Sequence, residues 1–170
     1  MRKLSRPSLR KLNKCWSSQD SLSFVRQCLQ LLRKGYDLDQ FFNGAEEVFS
    51  EIVEEGLKAL RRSQAGFIYL ATNPLYGNNV YKIGLTRLTP DARMVSLQTA
   101  GVLGSFVLVE QWPSSDVDLT ENRCHRLFSK KRIKGEFFHE SYKVLIAGIS
   151  EVIAEEHRAL ATLARLVRLS

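Results

Sequence analysis

Gly66-Phe67-Ile68-Tyr69-Leu70-Ala71-Thr72-Asn73-Pro74-Leu75-Tyr76-Gly77-Asn78-Asn79-Val80-Tyr81-Lys82-Ile83-Gly84-Leu85 is the stretch on which the reading of this chain turns. Phe67–Ala71 is a short run of aromatic and aliphatic side chains that suits a pleated, half-buried surface. Asn73–Asn79 brings together a proline, a glycine and several asparagines, a dense turn signal. Val80–Leu85 is a second strand, so the whole reads as a β-hairpin.

Toward the C-terminus, Thr89-Pro90-Asp91 opens a helix, with Pro90 near the first position, running to about Thr99. Gly101 and Gly104 bracket a loop. Phe106–Trp112 is a third strand, ended by Pro113. Ser114-Ser115-Asp116 offers caps for a helix reaching about Lys131. Gly135-Glu136-Phe137-Phe138 is a short extended or turn segment, and residues 142–168 form a long amphipathic helix with Leu145, Ile149, Val152 and Ile153 on one side.

Toward the N-terminus, Leu22, Val25, Leu29 and Leu32 predict a helix over residues 21–34, capped by Asp20 and stopped by Gly35. A second helix is predicted from about Leu38 to Arg62, with Gly44 and Gly56 as its weak points. The two form an antiparallel pair ahead of the main domain. Before them, Arg2, Lys3, Arg6, Arg10, Lys11 and Lys14 occur with no acid among residues 1–14. That segment reads either as a solvated, poorly ordered tail or as an electrostatic arm that touches nucleic acid.

The expected fold class is therefore α+β: a small three-stranded antiparallel or mixed sheet flanked by helices and preceded by an N-terminal helical pair. The expected divisions are a basic tail and helical accessory region at 1–63, the main domain at 64–150 and a C-terminal helix extension at 151–170. An apolar fraction of 44% over 170 residues is enough for a real core. A net charge of +7 suits a polyanionic partner, a nucleic acid or an acidic membrane surface. No apolar run approaches the ~20 residues needed to span a bilayer, and charges interrupt any secretory leader after Met1. Cys15, Cys28 and Cys124 are odd in number and lack paired zinc-ligand spacing, as free thiols would be. A soluble, cytoplasmic protein is expected. The absence of a glycine-rich phosphate loop argues against a nucleoside triphosphatase.

Gly66-Phe67-Ile68-Tyr69 and Tyr81-Lys82-Ile83-Gly84 resemble the two half-motifs of the GIY-YIG nuclease superfamily, and more closely its phage-associated branch, whose second half-motif reads KIG. Arg93 in the next helix, Glu121 with His125 one turn on, and Gly135-Glu136-Phe137-Phe138 follow in the family's order. The resemblance covers about half the chain. Phe67 stands where the first half-motif has its glycine, and Lys82 where the second has its tyrosine. Neighbouring strand residues point to opposite faces, so Lys82, and not Tyr81, is expected toward the site.

The resemblance implies a metal-dependent endonuclease acting on phosphodiester bonds, with DNA preferred over RNA as partner and no membrane. It implies one metal ion, Mg²⁺ or Mn²⁺, held by Glu121; Tyr69 as proton acceptor; Arg93 as phosphate clamp; and Lys82 as the charge that favours a phenolate or orients the water. His125 and Glu136 are candidate further members. A groove along the phosphate backbone would draw on Arg87, Lys130, Lys131 and Arg132. The alternatives are a nucleic-acid-binding module with weak or no catalysis, and a protein-interaction unit acting through the N-terminal helices. Leu160, Leu163, Leu166 and Leu169 exceed what one small sheet needs, so the terminal helices are expected to pack on one another or to form a homodimer.

Overall fold

The computed structural model describes residues 2–43, 45–99 and 102–167. It divides into two compact units: residues 64–154, and the residues before Gln64 together with those from Glu155 onward.

The helical unit contains α1 (Arg6–Ser17), α2 (Ser21–Arg33), α3 (Asp39–Phe42) and α4 (Glu46–Gln64). The basic N-terminal stretch is thus a helix, not a poorly ordered tail. Ser5 caps it, accepting from the Ser8 N–H at 3.3 Å, and Leu12 is fully buried. The Trp16 ring lies 4.6 Å from that of Phe49. Leu12, Cys15 and Trp16 are too few to stand out among the charges, yet they anchor one face while Arg6, Arg10, Lys11 and Lys14 stay exposed. Asp20 caps α2, accepting from the Ser23 N–H at 2.9 Å.

The single helix expected over 38–62 is two helices, α3 and α4. Gly44, in the break, lies outside the described residues. Gly56 does not interrupt α4. A Cβ there would strike the Ser21 carbonyl oxygen and stand 2.5 Å from Val25 Cγ2, so glycine is what lets α4 lie against α2. The core of this unit joins Phe24, Val25, Leu29, Phe42 and Val53 to Ala159 and Leu163 of the C-terminal helix. Leu160 and Leu166 pack on it as well. The leucines that suggested a dimer are therefore used inside the chain, with Leu169 outside the described residues.

The sheet unit runs β1 (Gly66–Thr72), β2 (Val80–Thr86), α5 (Pro90–Leu97), β3 (Val107–Ser114), α6 (Val117–Leu127), β4 (Arg132–Lys134), β5 (Phe137–His139) and the first part of α7 (Tyr142–Leu166). The class is α+β, but the sheet has five strands, not three. Their order is β3-β1-β2-β5-β4 and every pair is antiparallel. The added hairpin escapes sequence reading because β4 spans only three residues of a basic run, too short to show a period of two. Pro113 does not end β3. It sits within an edge strand, where a missing donor costs little. The helix expected to reach Lys131 stops at Leu127, and Ser129–Lys131 continues as a 3₁₀ turn.

Register decides what each face carries. Tyr69 pairs with Gly84, Ala71 with Lys82, and Lys82 with Phe137, so these five share one face. Ile68, Leu70, Ile83 and Phe138 point the other way. There they meet Val117 and Cys124 of α6 and Leu145, Ile149 and Ile153 of α7 in the larger core. The Tyr69 face is covered more thinly, by Met94 of α5 and by Phe106. That thin cover leaves room for polar groups.

Candidate active site

The hairpin is built around the Tyr69 ring. Tyr69 is fully buried, and its ring lies across the backbone of Gly84 on the neighbouring strand. A Cβ at 84 would come within 2.5 Å of Tyr69 Cζ and strike the hydroxyl. Gly66 has a similar reason: a Cβ there would run into the Thr86 carbonyl oxygen. The glycine one place before Phe67 is thus a close-approach position in its own right.

The Tyr69 hydroxyl is buried and makes no hydrogen bond of regular geometry among the described residues, although the Arg93 guanidinium lies beside it; Arg93 Nε is likewise without a regular partner. Such groups are costly unless something else completes them. Arg93 is delivered by α5, whose cap residue Thr89 accepts from the Ala92 N–H at 3.4 Å. Arg93 Nη1 donates to Ser96 Oγ at 3.3 Å. Burial pushes the Tyr69 phenol above its ordinary value; the guanidinium beside it works in the opposite direction, and the Glu121 carboxylate adds to the rise.

Lys82 reaches the same face. It is only 6% exposed, is ion-paired with Glu136, and holds its ammonium 5.6 Å from the centre of the Phe137 ring. Burial, then the nearby Arg93 charge, lowers the Lys82 ammonium from its ordinary range, while Glu121 counteracts them.

Glu121 arrives by way of an open strand edge. β5 pairs with β2 as far as Lys82, and the Ile83 N–H still reaches the Glu136 carbonyl at 3.1 Å, so the outward-facing Ile83 carbonyl and the groups beyond it need other partners. His125 Nε2 donates to the Ile83 carbonyl at 2.9 Å, and the Leu85 N–H donates to the Glu121 carboxylate. Because a carbonyl only accepts, Nε2 must carry the proton. Two side chains one helical turn apart on α6 thereby continue the ladder, and this brings Glu121 to the rim of the Tyr69 face. Burial raises the Glu121 carboxyl; His125, Lys82 and the Leu85 N–H pull it down, and Asp118 adds to the rise.

Arg93 and Glu121 thus each lie within electrostatic reach of both Tyr69 and Lys82. The remaining candidates are placed differently. Glu136 neutralises Lys82, and His125 braces β2. Arg87 donates to Asp118 at 2.7 Å and to Gln64 at 3.2 Å. Lys131 pairs with Glu140 at 2.8 Å. Arg132 lies over the Phe138 ring at 5.3 Å, and Lys130 is exposed. Phe137, which packs against Met94 and Phe106, also underlies the Lys82 ammonium; only the period of two, counted from Lys82 across an unrecognised strand, could have shown this. Among the described residues, no three His, Cys, Asp or Glu side chains form a group able to hold a metal. Glu121 offers a single oxygen-donor side chain, half-buried, with burial raising its carboxyl. That suits a hard cation that keeps most of its waters and takes other oxygens from a phosphate.

The T5orf172 domain model matches residues 66–153, which take in the hairpin, α5, α6 and the strands between. The chain belongs to the T5orf172 domain family. T5orf172 domains are phage-associated domains of nuclease type, so the matched half is a nuclease-like or DNA-binding module, and residues 69, 82, 93 and 121 all fall within it. No curated protein and no solved structure matches the chain. Among the described residues, no helix is long and apolar enough to cross a membrane.

Proposed function

We propose that this T5orf172 domain is a GIY-YIG-type endonuclease that hydrolyses phosphodiester bonds in DNA at the Tyr69 face of its sheet. The observation that carries the proposal is the buried Tyr69 hydroxyl, which makes no hydrogen bond of regular geometry and feels both the Arg93 guanidinium beside it and the Glu121 carboxylate. With Lys82 paired to Glu136, the Arg93 guanidinium, the Glu121 carboxylate and the Tyr69 hydroxyl are the groups that a phosphate and a water would complete.

In this reading, Arg93 grips the scissile phosphate with its planar fork and stabilises the charge that builds on the phosphoryl oxygens. Tyr69 takes the proton of the attacking water as a phenolate, its own proton having first passed to solvent, or as a relay that hands its own proton on to solvent as it takes water's. Burial favours the neutral phenol, so the phenolate is the minor form at rest. Lys82 positions the water and stabilises the phenolate before it takes the proton. Glu121 is the ligand for one Mg²⁺ or Mn²⁺ ion. The bound ion supplies positive charge to the phosphoryl oxygens.

One observation favours a second reading, a module that binds without cutting. Glu136 sits on the Lys82 ammonium, where the GIY-YIG pattern often carries an amide, and spends its charge within the protein. Incubation of the whole chain with labelled DNA and RNA, with Mg²⁺ or with chelator, separates the two. Cleavage that requires metal, and that both Glu121→Ala and Tyr69→Phe abolish, is expected. Binding with no cleavage at any metal concentration would leave the second reading.

A further inference from the structure

The face that carries Tyr69 and Lys82 continues past the proposed site to a group of rings that the chemistry does not use. Tyr76, in the turn between β1 and β2, meets Phe106 at 5.9 Å and Phe137 at 5.6 Å between ring centres. Its plane is turned 89° from the first and 64° from the second, so neither ring lies flat on it. Phe137 is the ring beneath the Lys82 ammonium. Tyr76 therefore stands one ring beyond Lys82, on the same side of the sheet. We propose that Tyr76 is a stacking platform for a nucleobase of the strand being cut, and that the enzyme takes a strand that is unpaired at that point. This rests on the nuclease reading and adds the substrate class to it.

Three observations support a platform over simple packing. Tyr76 keeps 39% of its surface exposed although two phenylalanines flank it, and its neighbours Leu75 and Leu103 are 66% and 75% exposed. A turn and loop whose only task was to cover the Tyr69 face would bury these side chains. The turn is also braced from below. Asn73 is 1% exposed; its Oδ1 accepts from the Leu75 N–H at 3.0 Å. Its Nδ2 donates to the Leu103 carbonyl at 2.8 Å, and its carbonyl accepts from the Tyr76 N–H at 2.9 Å. The ring is thus presented on a fixed base, which keeps the ordering cost of binding low. Finally, two cations, Arg93 and Lys82, are followed along the face by two aromatic rings, Phe137 beneath the Lys82 ammonium and Tyr76 beyond it. A backbone tracked by charge with its bases laid on rings is how single strands are held. A base inside a duplex has both faces covered by its neighbours, so it offers a ring nothing to stack on until it leaves the helix.

The test uses the whole chain in chelator, so that nothing is cut. The probes are an oligonucleotide carrying 2-aminopurine, single-stranded, and the same sequence annealed into a blunt duplex. Tyr76→Leu is expected to weaken single-strand binding roughly tenfold more than duplex binding and to remove the stacking quench of 2-aminopurine. Tyr76→Phe should keep both, and Tyr76→Trp should tighten the single-strand complex. If Tyr76→Leu weakens both probes equally, or if Tyr76→Trp and Tyr76→Leu bind single strands alike, the platform is refuted. Persistent metal-dependent cleavage in those variants would show that the nuclease reading survives it. A parent chain that binds neither probe would overturn the platform, and one that also fails to cut either probe in Mg²⁺ would overturn the nuclease reading with it.

Discussion

At the scale of single residues, the site depends on a contact between Tyr69 and a missing side chain. Gly84 has no Cβ, and the phenol occupies that space. Gly84→Ala is predicted to push the ring out of place without removing any chemical group. Cleavage should fall about 100-fold, the usual cost of a small misplacement, while circular dichroism stays that of the folded parent. Burial of Glu121 gives a second prediction. Its folded-state carboxyl titrates above the ordinary 4.5, so ionisation at neutral pH works against the fold. Glu121→Gln should therefore raise the melting temperature near pH 7 while abolishing cleavage. The penalty is complete above the raised folded value and disappears as pH falls through it toward the ordinary one. Melting curves of parent and variant should accordingly converge in acid. A variant that is less stable at every pH would contradict this.

At the scale of elements, the legible parts were those with a strong local signal. The β1–β2 hairpin announced itself through Asn73–Asn79, and α2 through Asp20 and Gly35. The face assignment of Lys82 followed from alternation alone, since register puts it beside Tyr69 and leaves Tyr81 behind. Elements whose signal is only tertiary were missed. The β4–β5 hairpin is too short to show a period, and α1 rests on three anchoring side chains in a basic stretch. The role of His125 was hidden for a similar reason: nothing local says that β5 stops at Lys82 and leaves the Ile83 carbonyl for an imidazole. Helix α1 carries its own prediction. Arg6, Arg10 and Lys14 recur every four residues on its exposed side. Changing all three to Gln should weaken DNA binding similarly for all sequences and reduce the salt slope of log K by up to about 3. Titrations at several salt concentrations measure this; an unchanged slope would remove α1 from the interface.

At the scale of the whole molecule, the thin side of one sheet gathers groups supplied by β1, β2, α5 and α6, far apart in sequence. Each is individually unremarkable on the chain: a strand tyrosine, a lysine, a helical arginine and a glutamate one turn from a histidine. Only their order resembled a nuclease, and only the sheet register brings them into one place. If they act as a unit, their losses should not multiply. The most direct measurement is single-turnover cleavage of a labelled DNA in Mg²⁺ by the parent, Tyr69→Phe, Glu121→Ala and the double variant. Each single change should cost at least 100-fold, with the double variant no slower than the worse of the two. A Glu121→Ala protein that cuts at the parent rate, or losses that multiply in the double variant, would mean that these side chains do not share one active site.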